Sequence, residues 1–332
     1  MTILQIAYPF APVGDDTVGG AEQILTILWR GLEEAGHRVL VVASGSPLNA
    51  PMDDNARAEG HRRHSHAITE ALAQNQVDIA HFHGVDFHRY LPSRCVPTLV
   101  TLHLPPDFYE DAFARSWPSG MFFNCVSQSQ HTLLARRGPR IRASVIPNGI
   151  LVERFAQPCP KENFALSLGR ICPEKGFHFA IEAARSADID WMLAGQIFPY
   201  ESHCRYFSEV IQPRLDTRRR FLGPLGFDAK RRLLARARCV LISSTVPETS
   251  SLVAMEALAS GTPVIAFPCG ALPEIVEHGR TGFVVDNAAE MAHAIGHIDH
   301  IDPEECRRSA RERFPADRMV NAYLEMYRSI LT

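Results

Sequence analysis

"STVPETSSLVAMEALASGTPVIAF", residues 244–267, reads as an exposed loop, a helix, a glycine stop and a buried strand. The preceding run "RCVLISS" is apolar and β-branched, so the whole segment is a strand–loop–helix–strand unit of a parallel sheet. Glu248 opens the helical pattern and Glu256 sits inside it, among "LVAMEALA". Eight residues at about 100° each bring Glu256 back to within about 80° of the face of Glu248. A carboxylate between apolar neighbours is costly to bury without hydrogen-bond donors. Ribose hydroxyls are suitable donors; the plain alternative is a helix-start acid and a surface glutamate.

The same alternation runs along the chain in both directions. Before residue 151 the expected strands are "TILQIAYPF", "RVLVVAS", "VDIAHFHG", "PTLVTLHL", "FFNCVS" and "ASVIPNGI". The segment 151–163, "LVERFAQPCPKEN", loses periodicity and reads as a linker. After it come "FALSLGR", "IDWMLAGQ", "RRFLGP", "RCVLISS", "TPVIAF" and "GFVV". This predicts an α/β protein of two Rossmann-like, doubly wound parallel-sheet domains, with ligands outside the carboxyl ends of the strands. The expected boundaries are 1–155 for the N-terminal domain, 156–315 for the C-terminal domain, and 316–332 for an amphipathic C-terminal helix that packs back on the first.

Composition narrows the classes. The 332 residues suit two domains of roughly 150. A net charge of -3 argues against a dedicated nucleic-acid binder. No apolar run approaches the ~20 residues of a membrane span, and the N-terminus lacks a signal-peptide pattern, so a cytoplasmic protein is expected. The eight cysteines form no C-x-x-C pair and read as reduced, space-filling thiols.

Two loops carry further chemistry. In "APVGDDTVGGAE", residues 11–22, Gly19 and Gly20 open backbone N–H groups at a helix start, where an anion is favoured. The spacing matches neither G-x-G-x-x-G nor the Walker motif, and a tight turn is the plain alternative. In "SLGRICPEKG", residues 167–176, Arg170 and Lys175 follow a strand and suit a diphosphate; alternatively Glu174 pairs with Lys175 on a solvated loop. Thr249, Ser250, Ser251 and Leu252 offer N–H groups at the next helix start. The "DID" at 188–190 lies at the amino end of a strand, the wrong end for a ligand. "HRRHSH" (61–66) and "HFHG" (81–84) lack a completing carboxylate or cysteine for a metal, although His81 and His83 end a strand where an acceptor can be met. The basic runs 136–142 and 218–220 suit a solvated face or an anionic surface.

Taken together, "VGGAE", "TLH" (101–103), "VIPNGI" (145–150), "LGRICPEKG", "PETSSLVAMEALASGTPVIA" and "GALPEIVEHGRTGFVV" resemble, in order, the retaining GT-B-fold glycosyltransferases of family four. The resemblance implies transfer of a sugar from a nucleotide diphosphate sugar, most commonly a UDP-sugar, to an acceptor, with retention and with no metal or other cofactor. It implies that Arg170 and Lys175 hold the diphosphate, Glu256 accepts from the ribose, and Glu248 contacts donor-sugar hydroxyls. It places backbone N–H groups of 249–252 on the phosphate or sugar, Gly20 near the donor, His103 near the reacting end, and Gly195 and Leu225 at the base pocket. The family commonly has G-F-G where this chain has Thr249, Ser250 and Ser251, and acids where it has Leu104 and Leu151, so the donor-sugar pocket is expected to be narrower and to lack those acid contacts. No second carboxylate pair is placed as nucleophile and acid, which favours front-face transfer. A sugar-nucleotide epimerase and a non-catalytic nucleotide-sugar binder remain the alternatives. Partners expected are the donor and a small-molecule, glycan or lipid-linked acceptor, without nucleic acid.

Overall fold

The computed structural model describes residues 1–14, 19–43, 53–92, 96–113, 116–137 and 142–332. Residues 15–18 of the first glycine loop, Cys95, and 138–141 of the basic run 136–142 lie outside the described residues. Met1–Gly149 with Ala316–Thr332 forms one compact unit and Ile150–Pro315 the other.

Six parallel strands build the first unit: β1 Thr2–Ile6, β2 Arg38–Val42, β3 Ile79–Phe82, β4 Thr98–Leu102, β5 Met121–Cys125 and β6 Ala143–Val145. Their order is β2-β1-β3-β4-β5-β6. β3 and β4 are buried throughout, as expected of strands covered on both faces. The C-terminal helix Ala316–Leu331 belongs to this unit and buries Met319, Val320, Tyr323, Leu324 and Tyr327. It lies close to the Gly20–Glu34 helix, where a Cβ on Gly31 would stand 2.6 Å from Val320 Cγ2.

The second unit holds β7 Glu162–Leu168, β8 Asp190–Ala194, β9 Arg219–Phe221, β10 Ala237–Ile242, β11 Val264–Ala266 and β12 Gly282–Val284. All pairings are parallel, in the order β12-β11-β10-β7-β8-β9. The chain therefore builds outward from β7 to one side, crosses back, and builds outward from β10 to the other. This is the doubly wound order, with its switch point between β7 and β10.

Residues 151–163 are not a free linker. Val152 and Phe155 are buried in the second unit's core, and Arg154 Cζ sits 3.8 Å over the Phe227 ring. Pro158 and Pro160 remove helical periodicity, but the apolar residues before them still find a core to fill. Among the described residues, no helix is long and apolar enough to cross a membrane, and seven of the cysteines are free thiols.

Candidate active site

The switch point is where the sequence places its charges. Arg170 and Lys175 follow β7, and Glu248 follows β10, so the loops 169–176 and 243–251 leave adjacent strands in opposite directions and open a crevice between them.

Backbone contacts lace the strand ends together. Gly169 N–H donates to Ala194 O at 3.1 Å, and Gly195 N–H to Gly223 O at 2.9 Å. A Cβ on Gly195 would lie 1.7 Å from Gly169 O, so only glycine permits this approach. Leu225 stands half-buried in the loop after β9. Arg170 is exposed at the start of its loop.

The Lys175 loop then docks on the Glu248 loop. Thr245 N–H donates to Glu174 O at 2.9 Å, and Ser243 Oγ donates to Gly176 O at 2.8 Å. Gly176, at φ 59°, caps the Phe177–Ser186 helix with its backbone folded against Ser243. Lys175 Nζ reaches Glu248 Oε1 at 2.5 Å, with the Ser244 hydroxyl donating to the same oxygen. Glu174 is not the partner of Lys175 in an ion pair among the described residues. Glu248 is held from behind as well: Ala271 N–H donates to its carbonyl at 2.8 Å, and a Cβ on Gly270 would meet that carbonyl at 2.2 Å.

The helix begins at Leu252, capped by the Ser251 hydroxyl, which accepts from Ala254 N–H at 3.4 Å. Glu248 therefore lies in the loop and not on the helix, and counting 100° steps from it does not describe its relation to Glu256. Its position comes from Gly270 and Lys175 instead. Thr249 and Ser250 stand half-buried in the loop before the cap; the Ser250 hydroxyl has no hydrogen-bond partner among the described residues. The first-turn N–H groups at Leu252 and Val253 lack intrahelical acceptors by helix geometry.

Glu256 is buried, 4% exposed. Its Oε1 accepts from Lys230 Nζ at 2.6 Å, while Oε2 is buried with no partner among the described residues. Burial pushes its carboxyl above the ordinary value, with Lys230 opposing. Leaving such an oxygen unsatisfied costs about 1–3 kcal/mol, so a hydroxyl donating to it is favoured. Lys230, on the Phe227–Arg236 helix, was not singled out by the sequence, where it opens an ordinary-looking basic run at 230–232. The signal was Phe227 three residues earlier: Lys230 Nζ lies 5.8 Å from that ring and 5.7 Å from Phe155, so its face points inward.

In the first unit, Gly19 caps and Gly20 opens the Gly20–Glu34 helix, and a Cβ on Gly19 would lie 1.9 Å from Glu22 Oε2. His81 is fully buried, its ring nitrogens 2.7 Å from Tyr327 Oη and 2.7 Å from Thr101 Oγ1. It is a structural residue with no face for an acceptor. His83, 4% exposed, contacts Gln5 Oε1 at 2.7 Å and His103 Nε2 at 2.9 Å. His103 follows β4 and is 9% exposed; burial pushes its pKa down to about 4, and those of His81 and His83 well below the ordinary value.

Among the described residues, one group suits a metal by ligand type: atoms of Cys172, Glu174 and His203 lie within 4.8 Å of one another. His203 is pushed down by burial and then by the Arg170 charge, with Glu174 opposing. The "DID" acids are taken by Arg218, which reaches Asp190 at 2.7 Å and also binds Asp188. In "HRRHSH", His61 pairs with Asp86 at 2.5 Å, His64 contacts Ala7 O at 3.0 Å, and both arginines pair with Glu59.

Comparison with known proteins agrees with this fold. "Glycosyltransferase Family 4" matches residues 18–154 and "Glycosyl transferases group 1" matches residues 162–298. A D-inositol 3-phosphate glycosyltransferase of Streptomyces scabiei is 48% identical over 59 residues, 18% of this chain and 13% of that protein. The chain's matches span less than half the length of such curated relatives. A glycosyltransferase involved in avilamycin A biosynthesis superposes with a TM-score of 0.73 at 25% identity, covering 99% of this chain and 98% of that one. Anabaena HepE, crystallised with UDP and glucose, superposes with a TM-score of 0.73 at 20% identity, covering 99% and 100%. With both halves matched and both sheets in the doubly wound order, the chain belongs to the group 1, family four glycosyltransferases of GT-B fold.

Proposed function

We propose that this protein transfers a sugar from a nucleotide diphosphate sugar, a UDP-sugar before others, to an acceptor hydroxyl, with retention of configuration and without a metal. The observation that carries the reading is the pairing of Lys175 with Glu248 across the loops after β7 and β10, followed on the next helix by the buried Glu256 with its unpartnered Oε2. A nucleotide sugar offers complementary groups: two phosphates for cations and helix N–H groups, and ribose and hexose hydroxyls for two carboxylates. The UDP carried by HepE supports the choice of base.

In the transfer, the bond from the anomeric carbon to the β-phosphate oxygen breaks and its electron pair stays on the diphosphate. The acceptor oxygen bonds to the anomeric carbon from the same face, and its proton passes to the departing phosphate oxygen. Arg170, Lys175 and the N–H groups at 249–252 stabilise the charge that develops, each donor being worth about 3 kcal/mol of barrier. Lys175 has three donors and gives one to Glu248, so it can serve a phosphate without releasing that carboxylate. Glu248 takes donor-sugar hydroxyls and Glu256 the ribose. Gly195 and Leu225 border the base.

Incubation with donor sugar alone, in chelator, separates this reading from its rivals. Slow release of free sugar supports a transferase. A changed sugar still bound to nucleotide would mark an epimerase, and saturable binding without turnover a binding protein.

A further inference from the structure

Seven buried polar residues of the first unit form one continuous hydrogen-bonded chain: Asn124, Thr101, His81, Tyr327, Gln5, His83 and His103. All are at most 9% exposed, so each polar proton needs an acceptor within the protein. Its direction follows from one end. Asn124 Nδ2 faces the backbone carbonyl of Cys125 at 3.4 Å and Tyr323 Oη at 3.2 Å. A carbonyl only accepts, which fixes the amide and leaves Asn124 Oδ1 to accept from Thr101 Oγ1 at 2.7 Å.

With the Thr101 proton committed, its oxygen accepts from Tyr323 Oη at 3.1 Å and from His81 Nε2–H at 2.7 Å. His81 Nδ1 is then a lone pair and accepts from Tyr327 O–H at 2.7 Å. The Tyr327 oxygen accepts from Gln5 Nε2 at 3.1 Å, so Gln5 Oε1 accepts from His83 Nε2–H at 2.7 Å. His83 Nδ1 is the next lone pair, and His103 Nε2–H donates to it at 2.9 Å. Each step admits one orientation once the previous one is set.

We infer that Tyr327, Gln5 and His83 are positioning residues that fix His103 as the Nε2-protonated tautomer, with Nδ1 as a hydrogen-bond acceptor, so that the substrate group His103 serves is a hydroxyl and not a phosphate or carboxylate. The assignment of His103 to the substrate rests on the function proposed above; the tautomer does not. The low pKa of all three imidazoles is in keeping with a chain of neutral rings. The C-terminal helix, which supplies Tyr327, thereby takes part in setting a residue more than two hundred positions earlier.

Long-range proton–nitrogen correlation NMR on the full chain, with histidine-labelled nitrogens at pH 7.5, reads the tautomers directly. The expected result is Nε2 protonation at His81, His83 and His103. Tyr327→Phe removes the link between His81 and Gln5 and is expected to leave His83 and His103 as tautomer mixtures. Tyr323→Phe removes a hydroxyl that does not transmit direction and is expected to leave both unchanged. Nδ1 protonation of His103 in the unaltered protein overturns the inference, as does an equal response to the two tyrosine variants. If the tautomers are as expected but no nucleotide sugar binds, it is the functional reading that fails.

Discussion

Lys175 Nζ and Glu248 Oε1 lie 2.5 Å apart across 73 residues of sequence and tie the loop after β7 to the loop after β10. The pair is partly shielded, with side chains 27% and 12% exposed. Its energy is therefore between that of a surface pair and that of a buried one.

Lys175→Met is expected to weaken nucleoside diphosphate binding by about 2 kcal/mol, roughly thirtyfold, the range of a charge-assisted hydrogen bond. Glu248→Gln keeps an acceptor for Lys175 and is expected to lose donor-sugar turnover while retaining nucleotide affinity. Calorimetry on both variants, set beside turnover, checks the division of labour. Equal loss of nucleotide binding in both would mean the two act only as a structural pair.

Glu256 should behave as a buried acid at some cost to stability. Its folded-state pKa is raised above the unfolded value, so stability that is full below that value is lost as pH rises through the folded pKa. Glu256→Gln, which keeps an acceptor for Lys230, is expected to gain stability over the unaltered protein at pH 8 and little or none near pH 4. Thermal melts at the two pH values decide this. A variant less stable at pH 8 by several degrees would show that the charge with Lys230 contributes more than burial takes away.

Gly270→Ala is expected to be severe. The residue has φ 64°, and its new Cβ would fall 2.2 Å from Glu248 O and 2.4 Å from Glu248 N. Displacement of Glu248 and a loss of about 3 kcal/mol or more are expected, against near-neutrality for Gly226→Ala, where nothing stands within 4 Å. A melting temperature unchanged by Gly270→Ala would refute the close packing described.

The buried histidines give the first unit an acid limit. Their folded pKa values lie below the unfolded one, so the stability they confer is present above about 6.5 and is lost as pH falls. For His103, from 6.5 to about 4, that amounts to about 3 kcal/mol. Melting followed from pH 7 to pH 4 should show a steep fall that His103→Gln partly removes. A flat profile over that interval would contradict it.

Nine of the twelve strands lie within the apolar runs quoted from the sequence, and β5, β7 and β10 begin one or two residues before theirs, because strands covered by helices write themselves as such runs between turn residues. Arg170, Lys175 and Glu248 were legible for the same reason, since each follows a strand at its carboxyl end. Three features were not. Phe155 looked like part of a linker because local periodicity does not report which core a short apolar segment will join. Lys230 looked like surface because its inward orientation depends on Phe155, from a distant segment, as well as on Phe227 one helical turn earlier. The chain from Asn124 to His103 was invisible because Tyr323 and Tyr327 are two aromatic positions of an amphipathic helix, and their hydroxyl partners come from strands some two hundred residues away. His81 was read outward for want of that knowledge.

The most direct test is calorimetric titration of UDP, GDP and ADP into the protein and into Glu256→Gln, with chelator present throughout. One nucleotide, UDP, is predicted to bind, and the variant to bind it at least tenfold more weakly, because its buried site no longer offers a charged acceptor to the ribose. Absence of binding by all three, or equal binding by the variant, would contradict the placement of a nucleotide sugar at the β7/β10 switch point.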